Sequence, residues 1–225
     1  MHSAKIVALT QPCDENMKVD EFIAYVARVS NPSNQNNTLT ANKLLKYLAK
    51  HKHWSPFEMV HVVMEINTTR DIARQILRHR SFSFQEFSQR YADPTKDLGF
   101  AVREARMQDH KNRQNSIEIS AADSESAATF IGEWTLWQES VVEKAREAYD
   151  WAIQNGIAKE QARAVLPEGL TNSRMYMAGS LRSWIHYCQL RMDNGTQKEH
   201  REIAADAWYE LTAKFPSLKD SLFDL

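Results

Sequence analysis

The sequence predicts an α+β (mixed α/β) fold, a central β-sheet flanked by helices, in one domain covering residues 1–225. Three observations predict it. Short apolar segments that alternate with a period of two are interspersed with longer segments whose apolar residues recur every three or four positions. The strands are few and separated by helices, which favours a mixed fold. No linker, repeat or low-complexity tract divides the 225 residues, a length that suits one large domain.

The first elements follow from local patterns. Apolar residues predict a strand over residues 5–9 and a helix over residues 20–29, where they recur near the helical period. Residues 31–37 are rich in Asn, Ser and Pro and predict a loop. Thr40 is a good N-cap residue and predicts the start of the next helix. The buried side of that helix is expected to carry Leu44, Leu45 and Leu48.

Residues 57–66 predict a strand with one uniformly apolar face. The face expected to meet the core carries Val60, Val62, Met64 and Ile66. Thr68 and Asp71 have the spacing of a capping box, so a helix is expected to begin there. The arginines of this helix stand four positions apart and predict a solvated face that consists of Arg70, Arg74 and Arg78.

The middle of the chain contains the longest predicted helix. Residues 93–115 are polar and predict irregular structure. A helix is expected from about Glu125 to the Asn155-Gly156 pair, which is a typical helix end. Its predicted buried stripe consists of Phe130, Trp134, Trp137, Val141, Ala145, Ala148 and Ala152. A short helix carrying Arg163 then ends before the next proline.

The last elements are a strand and two helices. Residues 174–179 predict the strand, and Ser180 is expected to cap the helix that follows. The predicted core side of this helix carries Leu181, Trp184, Ile185 and Cys188. Thr196 and Glu199 have capping-box spacing and predict a final helix that runs to about residue 215.

Composition limits the function classes. The formal net charge of -1 provides no global basic field, so nucleic acid is not an expected partner. No apolar run approaches the ~20 residues that span a bilayer, and the first ten residues lack a signal-peptide pattern. Cys13 and Cys188 are expected to be idle thiols in a reducing compartment. The sequence therefore predicts a cytoplasmic protein with no membrane partner.

The densest polar cluster spans residues 78–91. Three arginines, one histidine, three serines and Glu86 lie within these fourteen residues. Its first part is expected to end a helix, and residues 81–87 are expected to be extended. Clustered guanidinium groups suit a phosphate or another planar anion because they donate paired hydrogen bonds. The alternative from these residues alone is a solvated basic helix end, where cations are favoured in any protein.

At these residues the sequence resembles the flavin-dependent thymidylate synthase family. Arg-His-Arg at 78–80, seven residues and then Ser88 match the signature of that family without a gap. Further segments resemble it in the expected order, at residues 27–30, 51–58, 162–167 and 180–191. Three positions depart from residues common in the family. These positions are Gln85, Gln89 and Ser180, where Asn, Gly and Asn are frequent.

The resemblance implies a ligand set for each molecule. The dUMP set is Gln75, Arg78, Glu86, Ser88, Gln89, Arg90, Arg163 and Arg191. The FAD set is Ser30, His53, Ser55, Glu58, Arg78, His79, Arg80, Ser81, Glu86, Ser180, Arg182 and His186. It also implies NADPH and methylenetetrahydrofolate as co-substrates, no metal, and a homotetramer whose active sites form where subunits meet. Arg78 belongs to both sets, as a residue at such a seam would.

The resemblance further implies reductive methylation of dUMP to dTMP without a protein nucleophile. Carbon 5 of uracil is a poor nucleophile, and Arg191 is the candidate catalytic group that stabilises negative charge on the ring. A cysteine that adds to carbon 6 is the other known solution to this problem. Cys188 lies on the predicted apolar face of its helix and is interpreted as core filler. The order of methylene and hydride transfer stays open.

Two other function classes remain as alternatives. A metal-dependent hydrolase would use the histidines at positions 51, 53, 61 and 79 as zinc ligands, although no Asp or Cys partners stand at recognisable spacing. A non-catalytic nucleotide- or RNA-binding module would need stacking aromatic residues, whereas the six tryptophans are expected mostly in helical core stripes. Metal content tests the first alternative, and the yellow colour of a flavoprotein tests the second.

Overall fold

The computed structural model describes residues 2–219 and confirms the mixed α+β class. The strands are β1 (Ser3–Leu9), β2 (His61–Thr69), β3 (Ser83–Glu86), β4 (Arg106–Gln108), β5 (Ser116–Glu118) and β6 (Asn172–Ser180). The α-helices are α1 (Val19–Ala27), α2 (Ala41–Lys50), α3 (Arg70–Ile76), α4 (Pro94–Asp97), α5 (Glu125–Gln154), α6 (Lys159–Ala162), α7 (Leu181–Arg191) and α8 (Lys198–Lys214). Short 3-10 helices lie at Pro32–Asn34, Ser55–Met59, Arg163–Val165 and Pro216–Leu218.

Four strands form an antiparallel sheet in the order β1-β2-β6-β3. The central strands β2 and β6 pair along their whole lengths, from His61 opposite Ser180 to Thr69 opposite Asn172. β4 and β5 form a separate hairpin. β4 lies inside residues 93–115, which were expected to be irregular, and β5 follows directly after them. β3 begins just after the Arg-His-Arg motif at 78–80. The sheet places β3 beside β6, the strand that leads into α7.

One face of the sheet forms the core. The predicted apolar face of β2 is fully buried, and so is the predicted core side of α7. Trp184 of α7 donates its indole N–H to the carbonyl oxygen of Val62 at 3.1 Å, which fixes the helix across the strand. The opposite face is polar and largely open: Tyr176 donates to Glu65 at 3.0 Å, and Asn67 donates to the same carboxylate at 3.2 Å.

The strand predicted from residue 57 begins later, at His61, so that boundary was wrong. Residues 55–59 form a 3-10 helix with Pro56 in its first positions, where a fixed proline φ is favourable. Phe57 is fully buried from this turn rather than from a strand. The turn places three residues of the predicted flavin set, at positions 53, 55 and 58, just before β2.

Neither predicted capping box forms. α3 begins after Thr69 rather than Thr68, without a side-chain cap, and Asp71 instead accepts a 2.6 Å hydrogen bond from Arg103. The Glu199 carboxylate lies 3.1 Å from the same guanidinium group, and no side-chain cap forms at the start of α8. Charge-assisted hydrogen bonds are stronger than neutral ones, so a buried arginine takes acceptors that local spacing assigns to the backbone.

The start of α2 shows the same effect. Thr40 precedes the helix as predicted, but its hydroxyl accepts a 2.7 Å hydrogen bond from Arg28 and does not cap the backbone. Arg28 is buried and also donates to the carbonyl oxygen of Asn37. The guanidinium group therefore holds the loop between α1 and α2 in place. Ser180, in contrast, caps α7 as predicted by accepting from the Ser183 backbone N–H at 3.2 Å.

The long helix α5 starts and ends where the sequence predicts, with Gly156 at a φ of 78° after the helix end. Its predicted buried stripe is wrong in the first half. Trp134 and Trp137 are 42% and 70% exposed, whereas Ala145 and Ala152 are buried. No helix within residues 2–219 is both long and apolar enough to cross a membrane.

Candidate active site

Arg191, the candidate catalytic residue, is held by a histidine. It is the last residue of α7, and its Nε donates a 2.9 Å hydrogen bond to Nε2 of His79, which follows the end of α3. Because that ring nitrogen accepts, the imidazole is neutral. Burial, and then the positive charge of Arg191, lower the pKa of His79 to about 4. The pair therefore presents one fixed cation rather than two competing ones.

Gln75 belongs to a hydrogen-bond chain that runs close to this pair. Its Nε2 donates to Oε1 of Gln197 at 2.8 Å, and its Oε1 lies 3.3 Å from Nδ1 of His200. The Nε2 of His200 lies 3.1 Å from the Tyr187 hydroxyl. The sequence offered no partner for His200, because its neighbours come from α3 and α7. Only the fold brings these elements together.

A second group contains the predicted phosphate ligands. Arg90 lies 3.1 Å from the Glu160 carboxylate, and Arg163 donates to the backbone carbonyl of the same residue at 3.3 Å. Ser88 accepts from the Arg90 backbone N–H at 3.3 Å, so the turn after β3 is closed by its own hydroxyl. Gln89 is buried, and its Nε2 has no hydrogen-bond partner among residues 2–219. The structure thus brings Arg90 and Arg163 together at Glu160.

Glu86 lies at the end of β3 with its carboxylate nearly buried. It accepts from the Ser173 hydroxyl at 2.8 Å and lies 3.4 Å from Arg70 and 3.7 Å from Arg74. Arg70 is 6% exposed, so the expectation that the arginines of α3 form a solvated face is wrong at this position. The two guanidinium groups neutralise a carboxylate that would otherwise repel an anionic ligand. Glu86 is thereby fixed as an acceptor.

A third group contains four of the twelve predicted flavin ligands. Arg182 of α7 donates to Glu58 at 3.0 Å, and the His186 ring packs edge-on against Trp54 with 5.1 Å between centroids. Burial first, and then the charge of Arg182, lower the pKa of His186, while Glu58 acts in the opposite direction. The His53 ring lies beside this turn, near Tyr47. This group joins the 3-10 helix of residues 55–59 to the first turns of α7.

The remaining predicted flavin ligands are scattered. Arg78, Arg80 and Ser81 are exposed, and within residues 2–219 neither arginine side chain has a hydrogen bond or an ion pair. Ser30 lies apart, in a cleft of about 440 Å³ between α1 and α2. Ser180 is 5% exposed, and its hydroxyl is used in the cap of α7.

In the part of the chain that the structure describes, no side-chain hydrogen bond or ion pair joins the three groups to one another. Among the described residues, no hydrogen bond or ion pair connects Arg191 with Arg90 or Arg163. A cleft of about 520 Å³ lies elsewhere, between the β4–β5 hairpin and helices α5 and α8. None of the predicted catalytic or ligand-binding residues lines it. The candidate site is therefore an open set of side chains along α3, β3, α6 and α7.

Cys188 is not an activated thiol. Cys188 is fully buried in the core, and burial alone raises the pKa of its thiol. Cys13 is exposed and unpaired. Within residues 2–219, no three or more His, Cys, Asp or Glu side chains gather as a metal site would require. Of the four histidines considered as zinc ligands, His79 instead accepts from Arg191.

Guanidinium groups gathered beside one sheet suit a planar anion such as a phosphate, because they donate paired hydrogen bonds. The family described as "Thymidylate synthase complementing protein" matches residues 13–217. The chain therefore belongs to the flavin-dependent thymidylate synthase family, which confirms the resemblance read from the sequence.

Individual relatives agree. The chain is 46% identical over 221 residues to a "Probable flavin-dependent thymidylate synthase" of Paramecium bursaria Chlorella virus 1, covering 98% of each chain. It is 46% identical over 222 residues to the "Flavin-dependent thymidylate synthase" of Synechocystis sp., covering 97% of this chain and 98% of the relative. The fold is similar to a UMP/dUMP methylase, PolB, from Streptomyces cacaoi, with a TM-score of 0.75, 23% identity and coverage of 97% and 94%.

Proposed function

We propose that this chain catalyses the reductive methylation of dUMP to dTMP, with methylenetetrahydrofolate as one-carbon donor, NADPH as reductant and FAD as bound cofactor. The viral and cyanobacterial relatives, each 46% identical over almost the whole chain, carry the name of this activity. The observation that carries the proposal is the hydrogen bond between Arg191 and His79. It fixes a part-buried cation at the end of α7. The cysteine of the same helix, Cys188, is inert because burial raises the pKa of its thiol.

Arg191 acts on the uracil ring in this proposal. When nitrogen 3 gives its proton to solvent, negative charge spreads over the ring, and a positioned guanidinium group stabilises that charge. The stabilised ring is a better nucleophile at carbon 5. The neutral His79 holds the guanidinium group by accepting from Nε, which leaves the terminal nitrogens for the substrate. No thiol addition is needed.

The second group binds the nucleotide phosphate. Arg90 and Arg163 supply the cations, and Ser88 supplies a hydroxyl. In the absence of ligand the Glu160 carboxylate pairs with Arg90, and the phosphate replaces that carboxylate when dUMP binds. Gln89 supports this role because its buried Nε2 needs an acceptor. The base and sugar of dUMP contact the remaining members of the set, which are Gln75, Arg78, Glu86 and Arg191.

The donor chemistry of the proposed flavin ligands, taken together, fits a flavin dinucleotide. The exposed, unpartnered guanidinium groups of Arg78 and Arg80 suit an anionic pyrophosphate. The remaining proposed ligands are Ser30, His53, Ser55, Glu58, His79, Ser81, Glu86, Ser180, Arg182 and His186. When bound, FAD supplies the hydride chemistry that amino-acid side chains lack. The ion pair of Arg182 with Glu58 and the packing of His186 on Trp54 hold three of these ligands in place.

We propose that the active sites form between the subunits of a homotetramer. The exposed apolar half of α5 supports this, because patches of this kind mark interaction surfaces. It consists of Phe130, Trp134, Trp137 and Val141, each more than 40% exposed. The open arrangement of the three groups also supports it, since a second chain would complete each site.

Contacts between β1 and α8, such as Ile6 N–H to Glu210 at 3.0 Å, favour a single domain.

The two unpaired cysteines agree with a reducing, cytoplasmic location. A combined assay tests the proposed reaction: NADPH oxidation together with tritium release from [5-³H]dUMP in the presence of methylenetetrahydrofolate. Purified protein is expected to be yellow and to release tritium only when all substrates are present. Colourless protein that binds no FAD, or flavoprotein that releases no tritium, would contradict the proposal.

A further inference from the structure

His200 is a fully buried polar residue without an assigned role. It belongs to the first turns of α8 and is 0% exposed. Its two ring nitrogens contact Gln75 of α3 and Tyr187 of α7, at 3.3 Å and 3.1 Å. Buried histidines usually keep a charge only when an anion is near. Here the neighbouring groups are the His79 ring, 6.2 Å away, and the cationic Arg191.

The hydrogen-bond chain has a defined direction. Gln75 donates from Nε2 to Gln197, so its Oε1 is the atom that faces His200. A carbonyl oxygen only accepts, which means that Nδ1 of His200 carries the proton. Burial first, and then the charge of Arg191, lower the pKa of His200 to about 3, so the ring is neutral and Nε2 accepts.

Tyr187 closes the chain at its other end. Its hydroxyl has no hydrogen-bond partner other than His200 among residues 2–219, so the hydroxyl donates its hydrogen bond to Nε2 of His200. Trp184, Phe82 and His79 pack around the phenol ring, with centroids 5.6 Å, 6.0 Å and 4.9 Å away. The chain therefore runs from the Tyr187 hydroxyl through His200 to the Gln75 amide.

We propose that His200 is a positioning residue for dUMP: by donating from Nδ1 it fixes which end of the Gln75 side-chain amide is oxygen and which is nitrogen. This inference rests on the proposed function, in which Gln75 contacts dUMP. With His200 and Gln197 bound, the amide retains one N–H and one oxygen lone pair in a fixed arrangement for the nucleotide. Without that donor only the hydrogen bond to Gln197 favours this orientation, so the reversed amide, which does not fit the ligand, becomes more populated.

Two substitutions separate positioning from packing. In His200→Asn the side-chain amide reaches the place of ring Nδ1 and keeps the donor to Gln75. In His200→Gln the amide reaches the place of Nε2 and keeps only the contact with Tyr187. Both remove an aromatic ring from the core and should lower Tm similarly. We expect His200→Gln to weaken dUMP binding by roughly ten-fold, and His200→Asn by less than about two-fold.

The measurements are the Kd for dUMP by calorimetry on the flavin-loaded protein and Tm by calorimetric scan. His61→Asn and His61→Gln serve as matched controls, because His61 is exposed on β2, and neither should change the Kd. Equal weakening in both His200 variants would assign the effect to packing and overturn the role. No weakening in either, or weakening in His200→Asn alone, would overturn it as well.

The tautomer is measured separately. Nitrogen-15 NMR of the wild-type imidazole is expected to show a proton on Nδ1 and none on Nε2 of His200. A proton on Nε2 would overturn the inference whatever the binding data show. Wild-type flavoprotein that does not bind dUMP would overturn the proposed function and this role with it. Normal binding by wild type, with indistinguishable variants, would overturn this role alone.

Discussion

Arg191 and His79 form a hydrogen bond of 2.9 Å in which the guanidinium Nε donates and the imidazole Nε2 accepts. The arrangement requires a neutral imidazole, and it joins the end of α7 to the turn after α3. It also uses only one of the guanidinium nitrogens. The cation is thus positioned by the protein before any ligand arrives, which is the condition for electrostatic catalysis without reorganisation.

Removing this cation should affect turnover far more than cofactor binding. We expect Arg191→Ala to lower kcat by about 10²–10³, the effect typical of losing one charge-stabilising donor. The flavin should stay bound, since Arg182 and His186 lie on other turns of α7. Tritium release and flavin absorbance measure the two effects. Arg191→Lys is the control for charge alone, and an Arg191→Ala enzyme with near-normal kcat would remove the catalytic role.

The lowered pKa of His79, about 4 against 6.5 for a free histidine, predicts acid sensitivity. Between these two values the unfolded chain binds more protons than the folded one, so stability rises with pH. The contribution is fully present above pH 6.5 and is lost as the pH falls toward 4. Tm measured from pH 7 to pH 5 should therefore fall, and less steeply in His79→Gln. Equal slopes in both proteins would contradict a neutral, buried His79.

Much of the fold was accessible from the sequence because its signals are local. The alternation in β2 and the Ser180 cap each depend on residues a few positions apart, and both are as predicted. The capping boxes failed because Arg103, distant in sequence, takes the carboxylates of Asp71 and Glu199. Apolar periodicity also cannot distinguish a buried stripe from an exposed one, and it therefore misplaced the first half of α5.

The candidate site was only partly accessible for a related reason. Motif similarity named Arg90 and Arg163, and the structure places both at Glu160, which no motif included. His200 carried no local signal because its partners come from α3 and α7. Residues that recognise a ligand tend to recur in motifs, whereas the residues that hold them are chosen by packing in each chain.

The ion pair between Arg90 and Glu160 predicts opposite effects of two substitutions. Arg90→Ala removes a charge-assisted phosphate contact and should weaken dUMP binding by roughly ten-fold or more. Glu160→Gln frees Arg90 from a competing carboxylate 3.1 Å away and should tighten binding by a few-fold. Calorimetry on the flavin-loaded protein gives both constants. Unchanged binding in Arg90→Ala would take Arg90 out of the site.

Gly179 leaves room for an aromatic ring. A Cβ at this position of β6 would lie 2.5 Å from Cδ1 of Phe82, so the ring must move. Phe82 packs on Trp184, and Gly179→Ala should therefore cost about 1–3 kcal/mol, as overpacking does. Gly132→Ala is the matched control, since α5 has open space there and the change should stabilise by about 0.4–1 kcal/mol. Denaturant titration measures both, and equal effects would contradict the packing argument.

The exposed half of α5 predicts how assembly can be disrupted. Trp137 is 70% exposed in the single chain, and burying one large apolar side chain at an interface contributes about 1.5–3 kcal/mol. Trp137→Asp also places a charge there, so it should shift the protein from tetramer toward smaller species in sedimentation velocity. Leu39→Asp is the control, because Leu39 is 97% exposed but lies outside α5. If sites are shared between chains, tritium release should fall in parallel with the tetramer fraction. Full activity in a monomeric Trp137→Asp protein would show that each chain carries a complete site.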